Sequence, residues 1–180
     1  MSFVYLALLA LERIWELWLS RRNAARAIAR GGLEVGRAHY AVMAAFHTLF
    51  LVAVALEAQA FAPALFFCFL PFALAAQGLR YWAIHTLGDR WNTRVIVVPG
   101  DVPVTHGPYR FLKHPNYLAV CLEMICVPMM VGAWRTAVAA SLGNALLLWV
   151  RIRAEERALG PQWEDAFAGK PRLIPGARHG

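Results

Sequence analysis

Long apolar runs constrain this chain more than any other feature. Five stretches, 3–19, 40–56, 61–79, 117–131 and 134–150, are predominantly apolar. A helix needs about 20 such residues to cross the hydrocarbon core of a bilayer, with a range of about 17–25. The last two runs are short and separated only by Gly132-Ala133, so they read as a tight helical hairpin. Gly132 supplies its turn and Pro128 is expected to kink the fourth helix. The chain is 59% hydrophobic and 16% charged, against about 45–50% and about 25% for an average soluble domain. The expectation is an all-α integral membrane protein of about five transmembrane helices, forming one domain over residues 1–180. The sequence has no internal repeat and no low-complexity tract.

The net charge is +7, and its distribution matters more than its size. Arg21, Arg22, Arg26, Arg30 and Arg37 lie between spans one and two. Arg80, Arg90, Arg94, Arg110 and Lys113 lie between spans three and four. Arg151, Arg153, Arg157, Lys170, Arg172 and Arg178 follow span five. The two opposite loops hold only Arg135. Cationic residues collect on the cytoplasmic side, so the amino terminus is expected outside and the carboxyl terminus in the cytoplasm. Such an alternation assigns the basic excess to topology and to attraction for the membrane surface, not to nucleic acid. The first span lacks a basic start and a small-residue cleavage site, so it is expected to remain as an anchor. Cys68, Cys121 and Cys126 all fall within spans and imply no disulfide framework.

The connections differ in character. Residues 20–39 are basic, contain Gly31-Gly32, and read as a short amphipathic segment on the membrane surface. Residues 57–60 are a plain turn. The connection 80–116 is longer than usual, and long loops in compact domains tend to carry function. Within it 94–98 is a short extended run, and Pro99-Gly100-Asp101 is a turn. Pro103, Pro108 and Pro115 forbid a continuous helix, and Asn116 is a candidate cap for the next one. After Gly160-Pro161 the tail is polar. Trp163 and Phe167 are expected to rest on the membrane or cover a site.

Two polar motifs flank the apolar hairpin and, if it crosses and returns, share one membrane face. The first is Gly107-Pro108-Tyr109 followed by His114-Pro115-Asn116-Tyr117; the second is Arg151-Ile152-Arg153-Ala154-Glu155-Glu156. Arg151 and Glu155 share a helix face. Alone they also fit an exposed helix end with a weak ion pair of about 0.3–0.5 kcal/mol. His114 fits a proton shuttle, a cofactor donor or a structural histidine. No second ligand stands near it at metal spacing, so no metal is expected. Tyr109 and Tyr117 also fit interfacial aromatics. Glu12, Arg13 and Glu16 in the first span, and Glu123 in the fourth, are costly at membrane depth. They fit either an internal ion cluster between helices or a substrate lining, and Glu123 needs a partner or a proton. A dinucleotide fingerprint, a P-loop and a nucleophile elbow are absent. Nor is there the strand–helix alternation of a soluble Rossmann-type methyltransferase.

The pattern Gly107-Pro108-Tyr109, Lys113-His114-Pro115-Asn116-Tyr117, then Arg151-x-x-x-Glu155-Glu156, resembles the isoprenylcysteine carboxyl methyltransferase family. The likeness is strongest over about residues 91–160. At the amino terminus, Leu11-Glu12-Arg13 and Glu34-x-Gly36-x-x-His39-Tyr40 resemble a small bacterial branch, some of whose members methylate alkylpyrones or alkylresorcinols. The resemblance implies an integral-membrane enzyme that uses S-adenosyl-L-methionine. It divides the chain into three amino-terminal helices, 1–79, and a cofactor-binding loop, hairpin and tail, 80–180. It assigns Tyr109, His114, Pro115, Asn116 and Tyr117 to the cofactor, together with Asp101, Val102, Pro103 and Val104, whose residues depart from the family's usual sequence. Glu155 matches a cofactor-binding carboxylate, and Arg151 a residue facing the methyl acceptor. Lys113 stands where the family usually has arginine, which keeps the charge but loses the bidentate fork. A carboxylate acceptor needs no base. For a phenol or enol acceptor, Glu156 and His114 are the candidate bases. The implied partner is a lipophilic acceptor entering from the bilayer, with a phenolic or pyrone hydroxyl ranked ahead of a prenylcysteine carboxylate. The competing class is a small transporter or structural membrane protein, supported by the charges in span one.

Overall fold

The computed structural model describes residues 2–58 and 62–173. Position 61 of the third run, the expected turn at 59–60 and the tail cation Arg178 lie outside the described residues. Six helices and one small sheet follow in order: α1 (Ser2–Ala29), β1 (Leu33–Val35), α2 (Arg37–Glu57), α3 (Pro63–Leu87), β2 (Val95–Val97), α4 (Pro115–Met130), α5 (Trp134–Leu159) and α6 (Pro161–Ala166). Three helical stretches among the described residues are long and apolar enough to cross a membrane: Arg37–Glu57, Pro63–Arg90 and Trp134–Leu159. Helices α1–α5 stand at the five apolar runs, but two of them fall outside this set: α1 carries charges from Glu12 onward, and the 16 residues of α4 reach only about 24 Å at about 1.5 Å per residue.

The outer faces explain the composition. Leu8, Leu11, Ile14 and Trp18 on α1 are exposed, as are Leu49 on α2, Phe67 and Leu74 on α3, and Leu142, Leu146 and Trp149 on α5. A monomer in water rarely exposes so much contiguous apolar surface; lipid is the solvent that suits it. The interior joins Leu9, Phe50, Val54, Val120, Met124, Val127 and Ala140 from α1, α2, α4 and α5.

Two boundaries differ from the sequence reading, both because a helix continues past its apolar run. The basic segment after residue 19 is not a separate surface helix. It is the second half of α1, where alanine and arginine are strong helix formers, and it stops at the Gly31-Gly32 turn. Its cations reach the connection after α3: Arg26 pairs with Asp89 at 2.6 Å and Arg30 pairs with Asp101. Likewise α3 runs to Leu87, so Arg80 is not a loop cation. It is buried within α3 and donates two hydrogen bonds to Glu123 of α4. That is the partner Glu123 required.

The extended run near residue 95 forms β2, which pairs antiparallel with β1 in the register Leu33↔Val97 and Val35↔Val95. This ribbon ties the connection between α1 and α2 to the long loop. Pro115 occupies the first turn of α4, where its missing N–H is no loss. Asn116 therefore lies inside the helix and is not its cap; His114 holds the capping position, with no hydrogen bond from its side chain to the first N–H groups of the helix. The helix continues through Pro128 to Met130, and Gly132 turns the hairpin at φ +75°. At the start of α5 the Glu57 carboxylate of α2 accepts from the Arg135 and Thr136 N–H groups at 2.9 and 2.7 Å. Midway along α5, Gly143 permits close approach to α2: a Cβ there would stand 2.8 Å from Cε2 of Phe46.

Candidate functional site

The carboxyl-terminal end of α3, the start of α4 and the end of α5 meet beside the small sheet, and two cavities open there. The first, about 290 Å³, lies between the loop from Arg90 to Val104 and the ends of α4, α5 and α6. The second, about 370 Å³, runs among α1, α2, α4 and α5, with Arg80 reaching in from α3. Trp91, Asn92, Asn116 and Tyr117 line both. They are the common wall.

Local sequence explains how the first motif reaches this wall. Gly107 takes φ +59°, and an added Cβ would fall 2.4 Å from Oγ1 of Thr86. Only glycine suits both the backbone and the contact. The helical turn Gly107–Arg110 then buries Tyr109 against Ala83, Trp163 and Phe167. Burial, together with the nearby Glu155 charge, raises the Tyr109 pKa well above its ordinary value and keeps the hydroxyl neutral. His114 stacks on Tyr117 at 5.2 Å and lies 5.5 Å from Trp163.

The two motifs meet in a hydrogen-bonded chain that crosses the wall. The Tyr117 hydroxyl donates to Glu155 and accepts from Nε of Arg151 at 3.1 Å. Nη2 of Arg151 donates to the Thr93 carbonyl at 2.7 Å. Glu155 lines the first cavity, Arg151 the second, and Tyr117 both. The i, i+4 spacing of Arg151 and Glu155 thus does not make an exposed ion pair. Arg151 is 4% exposed, and the two residues face different chambers with Tyr117 between them.

Most residues singled out from sequence gather at the first cavity. Asp101, Val102, Pro103, Val104, Tyr109, His114, Asn116, Tyr117 and Glu155 all line it, as does Lys113. Pro115 lines neither cavity; its part is to begin α4. Asp101 is partly engaged, since Arg30 pairs with it and Nε of Arg90 lies 3.6 Å away. Trp163 and Phe167 line the cavity and stack at 4.7 Å, so they cover this chamber.

Glu156 requires a correction. It lines neither cavity, although it is one helical step from Glu155. His114 Nε2 stands 3.1 Å from its Oε1, and Arg172 grips the carboxylate with Nε at 2.9 Å and Nη2 at 2.6 Å. A carboxylate so engaged has no free approach to a substrate, so the geometry gives Glu156 a positioning part. It fixes the His114 ring and anchors the tail. The backbone adds to that strap: Lys113 and His114 N–H groups donate to the Pro171 and Arg172 carbonyls at 2.9 and 3.1 Å.

Trp91, Asn92 and Thr93 escaped the sequence reading. No motif marks them, and α1 holds them in place: Ser20 bonds Asn92 and Thr93 at 2.8 Å, and Asn23 donates to the Trp91 carbonyl at 2.8 Å. Two buried polar atoms of the wall, Trp91 Nε1 and Asn116 Oδ1, have no hydrogen-bond partner among the described residues. An orphaned buried group costs about 1–3 kcal/mol. A donor and an acceptor left open at the junction are what a bound polar molecule would satisfy.

Comparison with known proteins agrees with the position of these features. A model of the isoprenylcysteine carboxyl methyltransferase family matches residues 69–161, a segment that holds both motifs and the shared wall. The uncharacterized protein YpbQ of Bacillus subtilis is 38% identical over 162 residues, covering 88% of this chain and 96% of that protein. An uncharacterized protein of Haemophilus influenzae is 25% identical over 154 residues, covering 82% and 88%. The matched segment is over half the chain and carries the motifs in place, so the chain belongs to the isoprenylcysteine carboxyl methyltransferase family.

Proposed function

We propose that the chain is a membrane O-methyltransferase dependent on S-adenosyl-L-methionine, with the cofactor in the first cavity and a lipophilic acceptor in the second. One observation carries this reading: chambers of different character share a wall, and the chain Glu155–Tyr117–Arg151 runs through it.

The first cavity suits the cofactor's groups. Glu155 has a carboxylate oxygen beyond the one that Tyr117 engages, and it pairs with an ammonium. Lys113, Arg90 and Arg94 line the same chamber and favour a carboxylate. Trp91, Tyr109 and Trp163 offer aromatic faces to a sulfonium or a flat base. Bound there, the cofactor supplies an electrophilic methyl group. The chain's own residues do the rest. Arg151 uses two of its five N–H groups on Tyr117 and Thr93, and the others hold the acceptor oxygen and favour its anionic form. Trp91, Asn116 and Tyr117 fix the line between the chambers, and such alignment supplies much of the rate of a displacement. The Tyr117 hydroxyl offers the proton of a hydroxyl acceptor a path towards Glu155.

The second cavity, mostly apolar and bounded by helices, receives the tail of an alkylpyrone or alkylresorcinol; an isoprenylcysteine carboxylate ranks second. The basic ends of α1, α3 and α5 face the cytoplasm, where the soluble cofactor is available. Two measurements test this. S-adenosylmethionine or its demethylated product should raise the unfolding temperature of the detergent-purified protein; no shift at saturating ligand removes the enzyme reading in favour of a transporter or structural protein. Membranes given methyl-labelled cofactor with an alkylpyrone, an alkylresorcinol and a prenylated cysteine should label the first two. Label only in the third reverses the ranking.

A further inference from the structure

The second cavity holds charges that methyl transfer does not use. Arg13, Glu16, Arg80 and Glu123 line it, with His47. Glu16, Arg80 and Glu123 are 4%, 3% and 7% exposed. Their hydrogen bonds are unevenly satisfied. Glu123 receives two bonds from Arg80. Glu12, beside the cluster, receives Gln77 at 2.7 Å and the Tyr81 hydroxyl at 2.6 Å. Glu16 is different. Nη1 of Arg13 meets its Oε2 at 2.8 Å, but its Oε1 has no hydrogen bond, with Nη1 of Arg80 at 3.4 Å. Nη2 of Arg13 also lacks a hydrogen bond, lying 3.2 Å from Glu12 and 3.6 Å from Glu123. Three carboxylates share two guanidiniums, and one acceptor and one donor remain open beside the cavity.

Depth along the helices locates this layer. Glu123 follows Tyr117 by six residues on α4, about 9 Å at about 1.5 Å per residue. Glu16 precedes Ser20, which holds the wall, by four residues on α1, about 6 Å. Beyond the charges the lining is apolar, with Leu9, Phe50, Leu51 and Val127. The cavity therefore has three levels: the junction with Arg151 and Tyr117, the charged layer, and an apolar floor.

We propose that the charged layer is a second recognition subsite, in which Glu16 Oε1 accepts from, and Arg13 Nη2 donates to, a second hydroxyl of the acceptor. The inference rests on the acceptor reading above and narrows it. The substrate is an amphiphile whose polar ring bears two oxygens, one held at the junction and one in the charged layer, with its tail on the apolar floor. Two oxygens across one ring, each extended by a hydrogen bond of about 2.8 Å, cover a separation of this order. A ligand without the second hydroxyl leaves Glu16 Oε1 and Arg13 Nη2 without a hydrogen bond. Sites built around a substrate hydroxyl discriminate against its absence far more steeply than apolar pockets discriminate by size.

The test is equilibrium binding of 5-pentadecylresorcinol and 3-pentadecylphenol, which share a tail and differ by one hydroxyl, to the full chain in detergent. The wild-type protein should bind the diol at least tenfold more tightly. In Glu16→Gln the amide oxygen turns to Arg13 and an NH2 replaces the open acceptor. The preference should then fall to within threefold through loss of diol affinity, with the monophenol unchanged. Equal wild-type affinities overturn the proposal, and this comparison decides even where the variant fails to fold. Equal loss of both ligands in Glu16→Gln also overturns it, since that marks a structural role. Methyl transfer to the diol is measured separately. A diol preference without transfer refutes the methyltransferase reading while the subsite stands, whereas transfer without a preference does the reverse.

Discussion

The two chambers are built in opposite ways. The first is made of two chain segments: one runs from the loop Arg90 to Val104 through the turn at Gly107 to the start of α4, and the other is the end of α5 with α6. It is closed by backbone hydrogen bonds to the tail and by aromatic stacking. The second is assembled from α1, α2, α4 and α5, with Arg80 from α3 and Trp91, Asn92 and Thr93 from the loop, and ion pairs at depth hold its middle. A chamber of two chain segments can keep one chemistry while the helices around the other vary their lining. The difference matches the proposed division of labour between one soluble cofactor and a class of lipid acceptors.

Substitutions can break this comparison at distinct places. The largest effect is expected from Arg80→Met. It leaves the buried Glu123 with only Arg13 Nη2, 3.6 Å away, and breaking a buried pair by removing one partner costs about 3–5 kcal/mol. Unfolding in a denaturing detergent series should show it, whereas a loss under 1 kcal/mol would mean that the charged layer is hydrated. Next comes Arg151→Ala. Loss of a donor aimed at the reacting oxygen lowers turnover by about 10²–10³, while cofactor affinity stays within about threefold. Equal losses of both would place Arg151 on the cofactor side of the wall. Glu155→Gln should do the reverse, weakening cofactor binding by about 10–100-fold, in line with about 1.5–3 kcal/mol for a charged hydrogen bond; calorimetry with S-adenosylmethionine reads it. The smallest effect is expected from Gly143→Ala, which wedges α2 from α5 through Phe46. Overpacking of this kind costs about 1–3 kcal/mol. It should appear in the unfolding temperature without changing cofactor affinity, since neither residue lines the first chamber.

Legibility followed the same division. The loop motif could be read because Tyr109, His114, Asn116 and Tyr117 are near neighbours in the chain and need only one turn and one helix start to converge. Trp91, Asn92 and Thr93 could not, because Ser20 and Asn23 of α1, about seventy positions away, hold them in place. Arg80 was misread as a loop cation because apolarity ends before the helix does. Glu156 looked like a free base because its partner Arg172 lies in a tail with no motif of its own.

Sequence alone determined the apolar helices, the hairpin turn and the two polar motifs. Each depends on periodicity, length or backbone preference over a few consecutive residues. Tertiary structure alone decided that Arg151 and Glu155 face different chambers, that Glu123 is neutralised by Arg80, and that Glu16 keeps an open oxygen. Those outcomes depend on which helices approach at which depth. A buried charge is settled by its spatial neighbours, and local sequence does not name them.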